Sequence, residues 1–191
     1  MADAIILEEQ IEIPMSLRSL AEFRDWTATD AFPERGRIDY LAGRIEVDMS
    51  PEDLHTHGKP RTEIVGVVGR RVKNLHLGEL YTVRARVSNL EANLSAEPDL
   101  VFVSDASLNR GRVRLIPRAA GVTEFWLIDA RAADLVFRIH RRGATAYEPA
   151  DSDPQGHQYS AVLDAWYRLD RSRNEFGRIC FDLRERGTPA R

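Results

Sequence analysis

Glu97-Pro98-Asp99-Leu100-Val101-Phe102-Val103-Ser104-Asp105 is the stretch on which the fold turns. Leu100 to Val103 is an unbroken apolar run with two β-branched residues and one aromatic, bounded by Pro98 and by Ser104-Asp105. A run this short and this sharply bounded predicts a strand buried on both faces, as in the middle of an α/β sheet. Asp99 stands at its entrance. A carboxylate there has to be solvated, hydrogen-bonded or metal-bound, because a bare one in the interior is costly. Asp99 is therefore either a turn residue, since Pro-Asp is ordinary turn chemistry, or a carboxylate placed for chemistry.

The chain around that strand has 191 residues, enough for one domain with a sizeable core. We expect a single domain over 1–191, its core at about 16–147 and a C-terminal extension at 148–191. Cys180 is the only cysteine, which excludes a disulfide framework and a Cys-rich zinc site and fits a reducing, cytoplasmic setting. No apolar run approaches a membrane span, and no basic n-region marks a signal peptide, so no membrane partner is expected. The net charge of −3 gives no overall attraction for nucleic acid, so any such binding needs a local basic face.

Upstream, Ile5-Ile6-Leu7 and Ile11 and Ile13 suggest an edge strand or an ordered arm. Ser16 reads as an N-cap for a helix to about Ala28, with Leu17, Leu20, Phe23 and Trp26 at helical spacing. Arg37 to Pro51 reads as a hairpin turning at Ala42-Gly43. Its second strand puts Ile45, Val47 and Met49 on one face, and Arg44, Glu46 and Asp48 on the other. Glu46 is either a solvated outer residue or points into a cleft. His55 and His57, two apart in a polar loop, form a weak metal pair without a clear third ligand.

Residues 60–77 predict a second helix with an Ile64, Val67, Val68, Val72, Leu75 stripe and a face bearing Arg61, Arg70 and Lys73. Arg71 stands near the stripe's edge, and Gly78 is the expected stop. Leu80 to Val87 alternates as a strand, and 88–97 reads as a polar loop. Past the Asp99 strand, Arg110, Arg112 and Arg114 alternate, so that three guanidinium groups line one face if the segment is extended. Phe125 to Ile128 is a second buried-strand signal, joined through 131–134 to an amphipathic strand at Leu135 to His140. Residues 142–160 read as loop. Trp166, Tyr167 and Leu169, then Ile179, Phe181 and Leu183, suggest short closing elements.

Four pieces in order resemble one family: the hairpin at 39–51, the helix after His57, the Pro98-Asp99-Leu100-Val101-Phe102-Val103-Ser104 strand, and Gly121-Val122-Thr123-Glu124-Phe125-Trp126-Leu127-Ile128-Asp129. Together they look like the Uma2 family of restriction-endonuclease-like proteins, within the PD-(D/E)XK nuclease superfamily. The resemblance spans roughly residues 16–147. It implies an α/β fold, a mixed central sheet flanked by helices, and Mg²⁺-dependent endonuclease chemistry. In that chemistry carboxylates hold the metal, which polarises the scissile phosphate and acidifies the attacking water. By position, Asp99 is the first acid and Glu46 an upstream one, both catalytic and metal-binding. DNA is the implied partner, with Arg70, Arg71, Arg110, Arg112 and Arg114 as candidate phosphate contacts, and a homodimer is the implied assembly.

The family pattern also has a strand with Glu and a following Lys or Gln between the Asp strand and the Gly-Val-x-Glu-x-Trp segment, and a helix after it. Here no Glu occurs from residue 98 to residue 123. The chain reads as truncated in the middle, with that strand and most of its helix deleted. Three functions follow as expectations: a Mg²⁺-dependent DNA endonuclease, a catalytically inactive relative that binds DNA or protein, or an α/β domain with no active site.

Overall fold

Tight turns and one long amphipathic helix set the topology, which a computed structural model describes for residues 4–6, 11–33, 36–48, 53–82, 86–90, 93–109, 122–144 and 146–187. In chain order the elements are β1 (Ala4–Ile6), β2 (Glu12–Pro14), α1 (Leu20–Trp26), β3 (Arg37–Leu41), β4 (Arg44–Asp48), a π-helical turn (Leu54–Gly58), α2 (Lys59–Leu75), β5 (Gly78–Tyr81), β6 (Val87–Asn89), β7 (Leu94–Ala96), β8 (Val101–Ser104) and α3 (Asp105–Leu108). There follow β9 (Glu124–Asp129), β10 (Val136–Arg142), β11 (Tyr147–Pro149), β12 (Gln158–Ser160), β13 (Ala165–Arg173) and β14 (Ile179–Gly187). The chain is α/β and strand-rich. Every pairing among the described strands is antiparallel.

The elements gather into two compact units. The first holds β1 to β4, α1, β6 and β7, with a sheet in the order β4-β3-β7-β6. Its hairpin turns at Ala42-Gly43 as the sequence predicts: both residues have positive φ, 49° and 89°, the backbone of a two-residue turn that matches strand twist. Helix α1 starts later than expected. Its N-cap is Ser19, not Ser16, because Ser19 and Glu22 are spaced as a capping box. Ser19 Oγ accepts from Glu22 N–H at 3.2 Å, and Glu22 Oε2 accepts from Arg18 N–H at 2.7 Å. Ile11, Ile13, Leu20, Phe23, Trp26, Ile38 and Tyr40 form the core. The polar stretch 88–97, expected as loop, contains the β6–β7 hairpin. Its inward residues are polar but matched, Ser88 Oγ donating to Ser95 Oγ at 2.9 Å with both buried.

The second unit holds the π-helical turn, α2, β5, β8, α3 and β9 to β14. Ile64, Val68 and Val72 of α2 pack with Phe137 and Ile139 of β10, Tyr167 and Leu169 of β13, and Leu183 of β14. Leu75, counted in the apolar stripe, is exposed, since it falls in the last turn. Helix α2 ends not at Gly78 but two residues earlier, where His76 takes the left-handed conformation and its N–H donates to Val72 O. Gly78 has another role. It stands opposite Ser104 in the β5–β8 pair, and a Cβ at Gly78 would lie 2.7 Å from Ser104 Cα.

Two strands expected to be buried on both faces are not. Val101 to Ser104 is half-buried throughout, with β5 on one side. Phe125 and Leu127 of β9 are exposed while Trp126 and Ile128 face the core, so β9 is amphipathic despite its continuous apolar run. The expected loop 142–160 carries β11 and β12, and the closing elements are nine-residue strands paired along their length. The arginine run at 110, 112 and 114, and the junction leading to Gly121, lie outside the described residues.

Candidate functional site

Asp53 begins the site. Its side chain caps the π-helical turn, Oδ1 accepting from His55 N–H at 2.8 Å, Thr56 N–H at 2.6 Å and Thr56 Oγ1 at 2.9 Å. The Thr56 N–H, the Thr56 hydroxyl and the His55 N–H hold the Asp53 carboxyl below its ordinary range. The chain needs this anchor because Gly58 and Pro60 follow at once and α2 has no side-chain cap of its own. π-Helical turns are rare and cluster at functional positions. This one carries both histidines singled out in the sequence.

The turn delivers His57 to Asp99. The His57 Nε2 to Asp99 Oδ1 distance is 3.5 Å, with each side chain about a third exposed, 34% and 37%. The contact is not a hydrogen bond: His57 Nε2 is shielded from solvent and has no hydrogen-bond partner. His55 is exposed on the same turn. The pairing of His57 with Asp99 was not legible in the sequence, where the histidine was read against its near neighbour and the aspartate against its strand.

The other candidate residues are placed as follows. Glu46 is exposed on β4, opposite Asp39 in the register, and belongs to the first unit, whereas Asp99 belongs to the second. Arg70 is exposed on α2, as is Lys73. Arg71 faces its own chain: Nε donates to Leu163 O at 2.8 Å, NH2 to Asp164 O at 2.8 Å, and NH1 meets Glu185 at 2.7 Å. Lys59 Nζ donates to Ile179 O at 2.6 Å and Glu63 Oε1 accepts from Leu183 N–H at 3.1 Å, so α2 holds β14 by polar contacts along its length.

Sequence reasoning missed a second cluster of charge. Asp39 is buried, and Oδ2 meets Arg37 Nε at 2.8 Å while Oδ1 accepts from Glu97 N–H at 3.0 Å. Arg86 NH2 donates to Ile38 O at 2.9 Å and Glu97 Oε1 at 2.6 Å, and its guanidinium lies over the Phe23 and Phe32 rings. The available signal was the match of sign between Arg37, Arg86, Asp39 and Glu97. The group joins residues of the first unit to one another, leaves Arg86 Nη1 buried without a hydrogen-bond partner, and reads as scaffold.

The donor set tests the metal that the family chemistry implies. Mg²⁺ is a hard ion that takes oxygen ligands and usually more than one carboxylate. Among the described residues no three His, Cys, Asp or Glu side chains gather as a metal centre, and the ion-pair partner of Asp99 is an imidazole nitrogen. The described residues do not fit a Mg²⁺ site, and no reaction step is derived through one.

The comparisons agree with the resemblance. The family model Uma2, described as "Putative restriction endonuclease", matches residues 20–118, just over half of the 191 residues. The chain belongs to that family. No curated protein matches it. The match takes in Glu46, His57 and Asp99 and stops before Glu124. Among the described residues, no helix is long and apolar enough to cross a membrane.

Proposed function

We propose that this chain is a member of a Mg²⁺-dependent endonuclease lineage that has lost phosphodiester hydrolysis and retains binding to DNA phosphates. The observation that carries this reading is the missing bearer of the second half of the motif. From residue 98 to residue 123 there is neither Glu nor Lys, so the strand on which the family pattern carries its Glu and the following Lys or Gln is missing from its place in the sequence. The pairing of Asp99 with His57 in place of a second carboxylate supports the same reading. Without two acids to fix an ion, transition-state charge on the phosphate has no counter-charge of the family's kind. We further infer that the separate antiparallel sheets derive from a mixed central sheet flanked by helices, shortened by loss of the strand and helix between Asp99 and Gly121.

Binding to DNA rests on Arg70 and Lys73, both exposed on α2, and on Arg110, Arg112 and Arg114. Such binding is by counterion release and is salt-sensitive. The test is fluorescence polarisation with a labelled duplex across a salt series, on wild type and on a variant with Arg70, Arg110, Arg112 and Arg114 changed to Gln. The expected result is binding that weakens steeply with salt and whose salt slope flattens in the variant. Absence of binding at low salt would favour the reading in which this is a protein-binding or site-free α/β chain, which the acidic balance supports.

A further inference from the structure

We infer that the outer face of the β11-β10-β9 sheet binds single-stranded DNA, its rings stacking on bases and its arginines meeting the flanking phosphates. This binding goes beyond that to duplex phosphates, and only its choice of DNA over RNA rests on the functional reading. The sheet has two unlike faces. Inward, Trp126 and Ile128 of β9 and Phe137 and Ile139 of β10 join the core. Outward, Phe125, Leu127 and Val136 are exposed at 38%, 48% and 36%, and Arg138 and Arg142 are exposed beside them. The Phe125 and His140 rings, opposite one another in the register, lie parallel, with 7° between planes and centroids 4.6 Å apart. Tyr147 of β11 meets Phe125 edge-on at 4.9 Å, and its hydroxyl donates to Val122 O at 2.7 Å.

Along β10 the side chains of Arg138, His140 and Arg142 share a face by alternation, so the ring pair has an arginine on either side. Among the described residues of this face the carboxylate is Asp129, and Arg131 already holds both its oxygens. The face is therefore locally positive on a chain whose net charge is −3. Rings with cations on both sides match a single strand, in which a base offers a π-face and its phosphates follow on either side. A duplex keeps that π-face inside its own stack, so the surface discriminates by strandedness. A protein partner fits less well. Strands of six, seven and three residues, half of them facing outward, fall far short of the roughly 20–30 residues a side of a stable interface. The arginines also stand among the rings, where a protein interface is depleted of charge.

Fluorescence polarisation of the full chain with labelled oligothymidine, oligouridine and the oligothymidine duplex tests the face, on wild type, Phe125→Leu and Arg138→Gln. Phe125→Leu keeps apolar area at an exposed position and removes the ring. It should weaken oligothymidine binding about fivefold or more and leave duplex binding unchanged. Arg138→Gln should lower the salt slope for oligothymidine by about 0.7. Equal oligothymidine binding by wild type and Phe125→Leu would overturn the proposal. So would no oligothymidine binding at low salt, an equal loss on single strand and duplex, or a salt slope that Arg138→Gln leaves unchanged. Oligouridine bound more tightly than oligothymidine would overturn the choice of DNA. Self-association by sedimentation that Phe125→Leu abolishes, without oligothymidine binding, would give the face to a second copy instead. Because Phe125→Leu could disturb the sheet, the wild-type chain supplies a second readout. An oligothymidine carrying 5-iodouracil should photocrosslink within residues 125–147, as mapped by mass spectrometry, and attachment confined to other segments overturns the face without any variant. Loss of duplex binding with oligothymidine binding intact counts against the functional reading alone, so the two failures are separate results.

Discussion

Around α1 a cluster of rings is tied to a part-buried charge pair, whereas around α2 a long aliphatic stripe meets a core of mixed aliphatic and aromatic side chains. In the first unit Phe23 meets Trp26, Phe32 and Tyr40 at centroid distances of 5.8, 6.4 and 5.4 Å, with the Arg86 guanidinium 5.4 Å from the Phe23 ring. In the second, Ile64, Val68 and Val72 pack with Phe137, Ile139, Tyr167, Leu169 and Leu183, and charged groups sit at the margins: Lys59, Glu63 and Arg71 against the C-terminal ribbon, Glu124 against Ser160. A short helix has too few positions for an apolar stripe, so α1 closes its unit with ring area and with an arginine whose charge is matched by Glu97. The seventeen residues of α2 supply the stripe outright. The first unit therefore rests on a ring cluster joined to a charge pair, and the second on the stripe of α2 and what it packs against.

The largest expected effect is in the aromatic cluster. Phe23→Ala removes a fully buried ring and a platform for Arg86, and should cost about 3–5 kcal/mol in denaturant unfolding. Ile139→Ala, also fully buried, should cost about 2–5 kcal/mol through lost burial and the cavity left. A smaller loss at Phe23 than at Ile139 would break the contrast between the cores.

Charge removal should sharpen it. Asp39→Ala leaves the Glu97 N–H and the Arg37 Nε without their acceptor, at about 1–3 kcal/mol. Glu124→Ala removes the acceptor of Trp126 Nε1 at 2.8 Å, Ser160 Oγ at 2.6 Å and Ala161 N–H at 3.1 Å. That carboxylate sits at the margin of its unit, so its loss should cost less than that of Asp39, about 1 kcal/mol. Thermal unfolding of the two variants compares them directly, and a larger loss for Glu124→Ala would reverse the order.

The smallest expected effect is a pH dependence from Asp129. Arg131, through its guanidinium and its N–H, pulls the Asp129 carboxyl down to about 2 from its ordinary 3.8. The folded-state value is depressed, so the contribution is present above about pH 3.8 and is lost as pH falls towards 2. The pair is solvent-screened and should be worth a few tenths of a kcal/mol. Arg131→Ala should therefore narrow the difference in stability between neutral pH and the acid limb only slightly, as read by urea unfolding at both.

How much of this was legible depended on whether the signal was local. The Ala42-Gly43 turn, the alternation of Glu46 with Ile45 and Val47, and the Ile64-Val68-Val72 stripe all follow from residues next to one another on one element. The β6–β7 hairpin was hidden because Ser88, Asn89 and Ser95 have the composition of a loop, and only pairing across the turn makes their burial cheap. The burial of Asp39 was hidden for the same reason, since its partners come from β3 and from the segments flanking β6 and β7. Asp99 was found from its strand, but what it faces was not. His57 reaches it through a π-helical turn, and no sequence period announces that geometry.

The account's central claim is that the chain keeps the family's first carboxylate while lacking the means to hydrolyse with it. Plasmid nicking tests this most directly: supercoiled DNA with purified chain in Mg²⁺ or Mn²⁺, with wild type, Asp99→Ala and Glu46→Ala run side by side. The account predicts that wild type nicks no faster than Asp99→Ala. Nicking by wild type that needs the metal and disappears in Asp99→Ala would contradict it and restore the chain to the active endonucleases of its family.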